Sequence, residues 1–306
     1  MKKILFCAGQ VGQRVLDTYN FDEVLAFCDN NANLHGSYIK GKKVISFEEL
    51  CELADSVEVI VCSADVEIVR SVIGQLTSKG IKYKHYNEAS NENDIKNAFT
   101  KIYKSNEWGT GESKFYSGTG SHDVAIIKPY IQLLINLIKN NNIYKITEVG
   151  CGDFFVMSQV LSQLASKGYE VEYAGLDVVD ALIEHNIEHF SSDKIHFLCE
   201  DAAKNNDDLP PGELLIIRQV LQHLDNKSIL KILSKTTKYK YVLVTEHIYE
   251  GEDVKYNVDK RVNESTRLNM FSGVYLDKPP YNYKNIVHLL KVSEDGGVIR
   301  TSLIIN

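Results

Sequence analysis

Five short segments of this chain place chemically capable residues just after runs of strand-like sequence. The first is Glu148-Val149-Gly150-Cys151-Gly152-Asp153, which closes the run Tyr144–Val149 and precedes the helical pattern Met157–Ala165. Glycines in such a turn let the backbone bend tightly and approach a ligand where a Cβ would clash. An acid at the strand end can meet a cationic or hydrogen-bond-donating ligand. Asp177 follows the run Glu170–Leu176, and Glu200-Asp201 follow Ile195–Cys199. An acid in the position of Asp177 has the geometry that grips a ribose diol in dinucleotide folds. Past the run Leu214–Ile217 comes Arg218-Gln219-Val220-Leu221-Gln222-His223, and the run Tyr239–Thr245 leads into Glu246-His247. A histidine titrates near working pH and suits general-base work. His223 is the first candidate base, with His247 and Glu246 as residues that can bind an acceptor or act as base. Arg218 can orient a carboxylate or phosphate. Each group also has an ordinary structural use. The acids can serve as helix N-caps, the histidines as packed side chains, and Arg218 as half of an ion pair.

These segments need a scaffold that brings strand ends to a common rim. Strand candidates alternate with helical patterns along the chain, which predicts an α/β fold with parallel sheets and crossover helices. A first domain is expected over residues 1–88, from runs at Ile4–Cys7, Val24–Cys28, Val57–Cys62 and Ile81–Tyr86 with helices at Val11–Tyr19 and Val66–Lys79. The polar stretch Asn87–Asp94 lacks a large apolar residue and marks a boundary. Residues 89–110 are expected to form a linker and a helix, Asp94–Tyr103, and residues 111–306 a second α/β domain. In that domain Pro129–Lys139 is expected to be helical, with Pro129 in its first turn. Val287–Val292, the turn Asp295-Gly296-Gly297 and Val298–Ile304 predict a closing antiparallel hairpin.

The 306 residues carry a net charge of -7, which argues against a general nucleic-acid binder. No apolar stretch approaches the roughly 20 residues of a membrane span, and the N-terminal Met1–Phe6 reads as a strand rather than a secretion signal. The six cysteines include no C-x-x-C pair or zinc-like spacing, so free thiols in a cytoplasmic, reducing setting are expected, with no resident metal.

The glycine loop and its two following acids resemble the cofactor motifs of class I S-adenosylmethionine-dependent methyltransferases, over roughly residues 110–306. Glu148, Gly150 and Gly152 stand at the positions of the family's first motif, and Asp153 occupies the place of its usual third glycine. The resemblance implies a doubly wound sheet ending in a reversed strand, S-adenosyl-L-methionine as cofactor, and a loop of Glu148, Gly150, Cys151, Gly152 and Asp153 around it. It also implies Asp177 on the ribose, Asp201 and Ala202 near the adenine, and the residues from Arg218 to His223 facing the transferred methyl group. A looser resemblance links Asn257-Val258-Asp259, Arg267-Leu268-Asn269, Ser272–Asn282, Trp108-Gly109 and Ser117–Ser121 to methyltransferases encoded with bacterial capsule or surface-glycan genes. It implies O-methylation of a sugar or nucleotide-sugar in surface polysaccharide biosynthesis, acceptor contacts from Asn257, Asp259 and Arg267, and Ser117 and Gly118 lying over the cofactor.

In the first domain, Cys7-Ala8-Gly9-Gln10-Val11-Gly12 is a G-x-G-x-x-G frame with cysteine at the first glycine, and Asp29 ends the next strand. The unit resembles small Rossmann-like nucleotide-sugar-binding domains of bacterial sugar-modifying enzymes, which would set Gly9, Gly12 and Asp29 against a second nucleotide. Three readings stay open: a nucleotide or nucleotide-sugar site, a degenerate fold kept for assembly as a homodimer, or an NAD site. The alternatives to a methyltransferase are accordingly an NAD- or nucleotide-sugar-dependent oxidoreductase or epimerase, and a non-catalytic nucleotide-binding scaffold.

Overall fold

The computed structural model describes residues 1–88, 94–111, 113–204 and 208–306. Most of the polar boundary segment, residues 89–93, and Glu112 of the glycine-rich stretch lie outside the described residues. The chain divides into two compact units, one of Met1–Glu88 with Leu268–Phe271 and one of Ala89–Arg267 with Ser272–Asn306.

The first unit runs β1 (Lys2–Phe6), α1 (Gln10–Leu16), β2 (Val24–Cys28), β3 (Tyr38–Ile39), β4 (Lys42–Ile45), α2 (Phe47–Leu53), β5 (Val57–Val61), α3 (Val66–Ser78) and β6 (Tyr83–His85). Its sheet has the order β3-β4-β2-β1-β5-β6, parallel except for the β3–β4 hairpin. That hairpin is absent from the reading of the sequence. Its signal is the pair Lys40-Gly41, both at positive φ, as a tight two-residue turn demands. The helices start where side chains supply acceptors. Asp65 caps α3 by accepting from the Glu67 and Ile68 amides, and Ser46 with Glu49 forms a reciprocal capping box on α2.

The second unit runs α4 (Ile95–Lys104), α5 (Thr119–His122), α6 (Val124–Asn140), β7 (Lys145–Val149), α7 (Phe155–Ala165), β8 (Glu172–Asp177), α8 (Asp180–Phe190), β9 (Ile195–Cys199), β10 (Leu214–Arg218), α9 (Asn226–Ser234), β11 (Tyr241–Ile248), β12 (Ile286–Glu294) and β13 (Gly297–Ile305). The sheet order is β12-β13-β11-β10-β7-β8-β9, with β13 antiparallel to both neighbours and the others parallel. Strand order reverses between β7 and β10, so their carboxyl ends diverge and open a crevice there. β10 is buried along its whole length (Leu214–Arg218), as a central parallel strand must be.

Two local expectations change. α6 begins at Val124, not near Pro129, because Asp123 accepts from the Ala125 amide at 2.7 Å and caps the helix earlier. Pro129 is carried inside the helix, whose buried face (Ile126, Ile127, Tyr130, Ile131, Leu134, Ile135, Ile138) outweighs one missing backbone bond. The helix expected within the 89–110 linker is α4, and it is no spacer: Ile95, Phe99 and Ile102 are buried in the second unit's core.

Candidate active site

The turn after β7 is held by backbone. The Gly150 and Cys151 amides donate to the Leu176 carbonyl at 2.8 and 2.9 Å, tying the turn to β8. Gly150 and Gly152 have positive φ. A Cβ at Gly150 would meet Val220 Cγ2 at 2.2 Å, and one at Gly152 would meet Ser117 Oγ at 2.5 Å. The glycines therefore admit two pieces of the protein itself, in addition to any ligand. One is the turn after β10. The other is a strap formed by residues 117–122.

Asp153 explains why a carboxylate can replace a glycine here. Its Oδ2 accepts from the Ser117 amide at 2.9 Å and from His122 Nε2 at 2.7 Å, and its Oδ1 accepts from the Phe155 amide at 3.2 Å. Ser117 Oγ in turn accepts from the Asp153 amide at 3.0 Å. Asp153 is thus a cap and a latch for the strap. Asp153 also lines the cavity described below. The His122 ring is stacked between Tyr116 and Phe155, at 4.4 and 4.2 Å between centroids.

Asp177 is buried, with Oδ2 accepting from the Gly152 amide at 3.3 Å and Oδ1 from Val179 at 3.2 Å. Burial pushes its pKa up to about 6, against those two bonds. Glu148 lies beneath the turn, accepts from the Tyr173 hydroxyl, and is raised by burial to about 8. Asp201 caps its own turn through the Ala203 amide at 2.9 Å. These groups meet at one cavity of about 250 Å³, lined by Ser117, Gly118, Glu148, Gly150–Asp153, Asp177, Asp201, Ala202 and Arg218. That volume falls near the lower bound of roughly 300–1,000 Å³ for small-molecule sites. Sequence reasoning missed the cavity's aromatic wall of Phe99, Tyr103 and Trp108. The signal for Phe99 and Tyr103 was the apolar stripe of α4, the helix expected between the two domains, while Trp108 figures only in the looser resemblance.

Past β10, Arg218 donates to Ser121 Oγ at 3.0 Å and to the Gly120 carbonyl, gripping the strap from the opposite side to Asp153. Its Nε is buried without a partner. Gln219 takes a positive φ and lies so close to Gly120 that a Cβ there would meet Gln219 Oε1 at 2.2 Å. Such strain in a non-glycine residue concentrates at functional sites.

The three candidate bases separate clearly. Glu246 is fully buried and accepts from the Val220, Leu221 and Gln222 amides at 3.3, 3.0 and 2.9 Å. It caps the turn and does not line the cavity, so its candidacy as a base is corrected. His223 lines the cavity, but its Nε2 meets Gln222 Nε2 at 3.2 Å and its Nδ1 meets the Ser265 carbonyl at 3.3 Å. Both nitrogens are engaged, the ring lies 5.1 Å from Trp108, and burial pushes its pKa down to about 3. The geometry is that of a packed histidine, and its first rank as a base is corrected. His247 also lines the cavity, and its backbone amide is held by Gln222 Oε1 at 2.7 Å. The Glu294 carbonyl meets its ring and Nε2 is buried without a partner, which leaves Nδ1 as the nitrogen on Glu294. Burial lowers its pKa to about 4, so the imidazole is neutral at neutral pH with an unused lone pair on Nε2.

The residues of the long insert turn inward. Arg267, at 0% exposure, donates from Nε to Val258 O, from Nη1 to Leu221 O and Gln222 O, and from Nη2 to Leu224 O and Asn226 Oδ1. Asn257 bonds the backbone of Tyr275, Lys278 and Pro279. Asp259 accepts from the Asn226 and Lys260 amides. None of Asn257, Asp259 and Arg267, expected to contact a substrate, lines the cavity: Arg267 supports the turn that carries His223, Asn257 braces the insert itself, and Asp259 holds the start of α9. In the first unit, Gly12 lies where a Cβ would meet the Cys7 carbonyl oxygen at 2.0 Å, Gly9 lies in open space, and Asp29 Oδ2 accepts from the Ala8 amide at 2.8 Å.

No family model matches the chain, and no curated protein matches it. Solved structures do. The magnesium protoporphyrin IX methyltransferase of Synechocystis PCC 6803 with bound S-adenosylhomocysteine is 10% identical, covers 70% of this chain and 97% of its own, with a TM-score of 0.44. The methyltransferase domain of bacterial CtHen1 is 14% identical over 58% of this chain and 97% of its own, with a TM-score of 0.40. Human N-acetylserotonin methyltransferase in complex with S-adenosylmethionine is 15% identical over 68% of this chain and 58% of its own, with a TM-score of 0.39. Among the described residues no helix is long and apolar enough to cross a membrane, and no cluster of three or more His, Cys, Asp or Glu is placed to hold a metal ion.

The buried acids give the site a pH signature in stability. Glu148 holds its proton to about 8 in the folded chain, against an ordinary value of 4.5. The folded state therefore binds more protons than the unfolded state across that window, and stability falls as pH rises through it, by at most about 1.4 kcal/mol per pH unit. Glu148→Gln keeps an acceptor for Tyr173 and should flatten the decline in urea midpoint between pH 5 and 8. An unchanged slope in the variant would show that Glu148 is ionised in the folded chain.

Proposed function

We infer that the second unit binds S-adenosylmethionine and transfers its methyl group to a hydroxyl of a small polar acceptor, a sugar-type compound fitting best. The observation that carries this reading is the convergence of the glycine turn, Asp177 and Asp201-Ala202, from three successive strand ends, on one cavity. The sheet order, with a reversed strand beside β11, supports it. So does Asp177, which lines the cavity and can accept from a ribose diol.

When bound, the cofactor supplies an electrophilic methyl group on sulfur. The chain's part is alignment and proton removal. Val220 and the strap fix the glycine turn, and Asp153 and Arg218 fix the strap. Gln219, Glu264, Thr266 and Glu294 line the cavity and give it polar character suited to hydroxyl-bearing acceptors. His247, which lines the cavity, would take the acceptor's hydroxyl proton on Nε2 while Nδ1 stays on the Glu294 carbonyl.

Asp177→Asn should weaken S-adenosylmethionine binding by roughly 1–3 kcal/mol, the usual cost of mispairing a buried group. In the unchanged chain the affinity should rise with pH through about 6, as the Asp177 carboxylate ionises. Calorimetry tests both. Equal affinities in the two chains at pH 8 would take Asp177 out of the binding site.

A further inference from the structure

We propose that the first unit carries a second ligand site, and that it takes a nucleoside through its vicinal diol rather than a nucleotide through its phosphate. The site is a cavity of about 680 Å³ lined by Phe6, Cys7, Gly9, Gln10, Val11, Asp29, Asn30, Cys62, Ser63, Glu67, Ile68, Ser71 and Val72, all within this unit. It opens at the carboxyl ends of β1, β2 and β5. In the order β2-β1-β5 these strands flank the reversal of strand order, the place where open α/β sheets hold ligands.

The lining decides the ligand's chemistry. Asp29 spends one lone pair of Oδ2 on the Ala8 amide at 2.8 Å and one of Oδ1 on the Asn31 amide at 2.9 Å. A carboxylate has about four acceptor sites, so one on each oxygen is left for a pair of neighbouring hydroxyls, with the carboxylate's orientation already set by backbone. Beside it, Val11, Ile68 and Val72 make an apolar wall suited to a flat base. Ile68 is 48% exposed although it is a large aliphatic residue.

The same lining disfavours phosphate. In dinucleotide folds the first glycine of the turn makes the tight bend, and the second, kept here as Gly9, lets backbone approach a ligand. Here Cys7 holds the first position, at φ +84°, and its side chain lines the cavity. The lining contains two carboxylates, Asp29 and Glu67, and no lysine or arginine. Glu67 is paired with Arg70 Nη1 at 2.7 Å, so the uncompensated charge an entering anion would meet is that of Asp29.

The experiment is calorimetry on the full chain, intact and carrying Asp177→Asn to weaken nucleoside binding in the second unit, using uridine, adenosine, their 2′,3′-dideoxy forms and their 5′-monophosphates, with free ribose as a sugar-only arm. A nucleoside should bind at least ~10-fold tighter than its dideoxy form, its monophosphate and ribose, and Asp29→Asn should remove the diol preference. Two variants at exposed positions of α3 guard against a folding defect at Asp29. Ile68→Glu should weaken nucleoside binding, and Glu67→Lys should narrow the preference for nucleoside over monophosphate. Binding of diol and dideoxy forms alike, tighter binding of the monophosphate or of ribose, or no nucleoside binding would each overturn the proposal. Because Asp29, Glu67 and Ile68 belong to the first unit, their effects are separable from a failure of the methyltransferase reading.

Discussion

His247→Ala should lower turnover by about 10²–10⁴-fold, the usual contribution of a positioned general base, while changing S-adenosylmethionine affinity by less than about 3-fold. The asymmetry follows from geometry. His247 Nε2 has no partner within the protein, so its removal costs the protein only the ring's bond to the Glu294 carbonyl. Its backbone amide, the atom Gln222 holds, survives the substitution. His223→Ala should behave differently, because that ring packs against Trp108 and Phe99 and bonds Gln222 and Ser265. Its loss should reduce cofactor affinity and stability along with turnover. Labelled methyl transfer into a small-molecule cell fraction, read beside calorimetry, separates the two. Comparable losses of turnover and affinity in His247→Ala would return that residue to a packing role. The pH profile gives a second readout. The limb assigned to His247 should fall on the acid side near 4, since neutral imidazole is the active form.

Arg267→Met should destabilise the second unit by upwards of about 3 kcal/mol, at the severe end of single substitutions. Replacing a buried ion pair by apolar residues is often harmless, because both partners leave together. Arg267 differs. Its acceptors are the carbonyl oxygens of Val258, Leu221, Gln222 and Leu224 and the side chain of Asn226, and they stay behind when the guanidinium goes. Each stranded buried acceptor costs about 1–3 kcal/mol before relaxation. Urea denaturation should show a lower midpoint with an unchanged slope. Arg267→Lys should recover only part of the loss, since one ammonium cannot span the fork. A change below about 1 kcal/mol in the methionine variant would mean that water or rearrangement satisfies those carbonyls.

The legible features in the sequence were those set by periodicity and punctuation. Parallel strands announced themselves as short apolar runs such as Leu214–Ile217, and the glycine turn stood out because it joined a strand to a helix. The cavity of the second unit gathers the loop, Asp177, Asp201 and the 117–121 strap, which lie far apart in the chain. What the sequence concealed were the partners of polar side chains. Asp153 reads as a blemished motif until the strap's amide and His122 are seen to share one of its oxygens. Glu246 and His247 are neighbours of similar chemical promise, yet strand alternation sends one carboxylate under a turn and the other side chain to the cavity. Arg267 carries the charge of an anion-binding residue and spends every donor on neutral acceptors. Such differences are fixed by long-range packing, which no local spacing records.

Titration of the intact chain with S-adenosylmethionine in a calorimeter, alongside Asp177→Asn, addresses the second unit directly. One saturable site, weakened in the variant and displaced by S-adenosylhomocysteine, is the predicted result. Absence of binding heat at every pH between 6 and 9 and at several temperatures, in a chain that melts cooperatively, would contradict it.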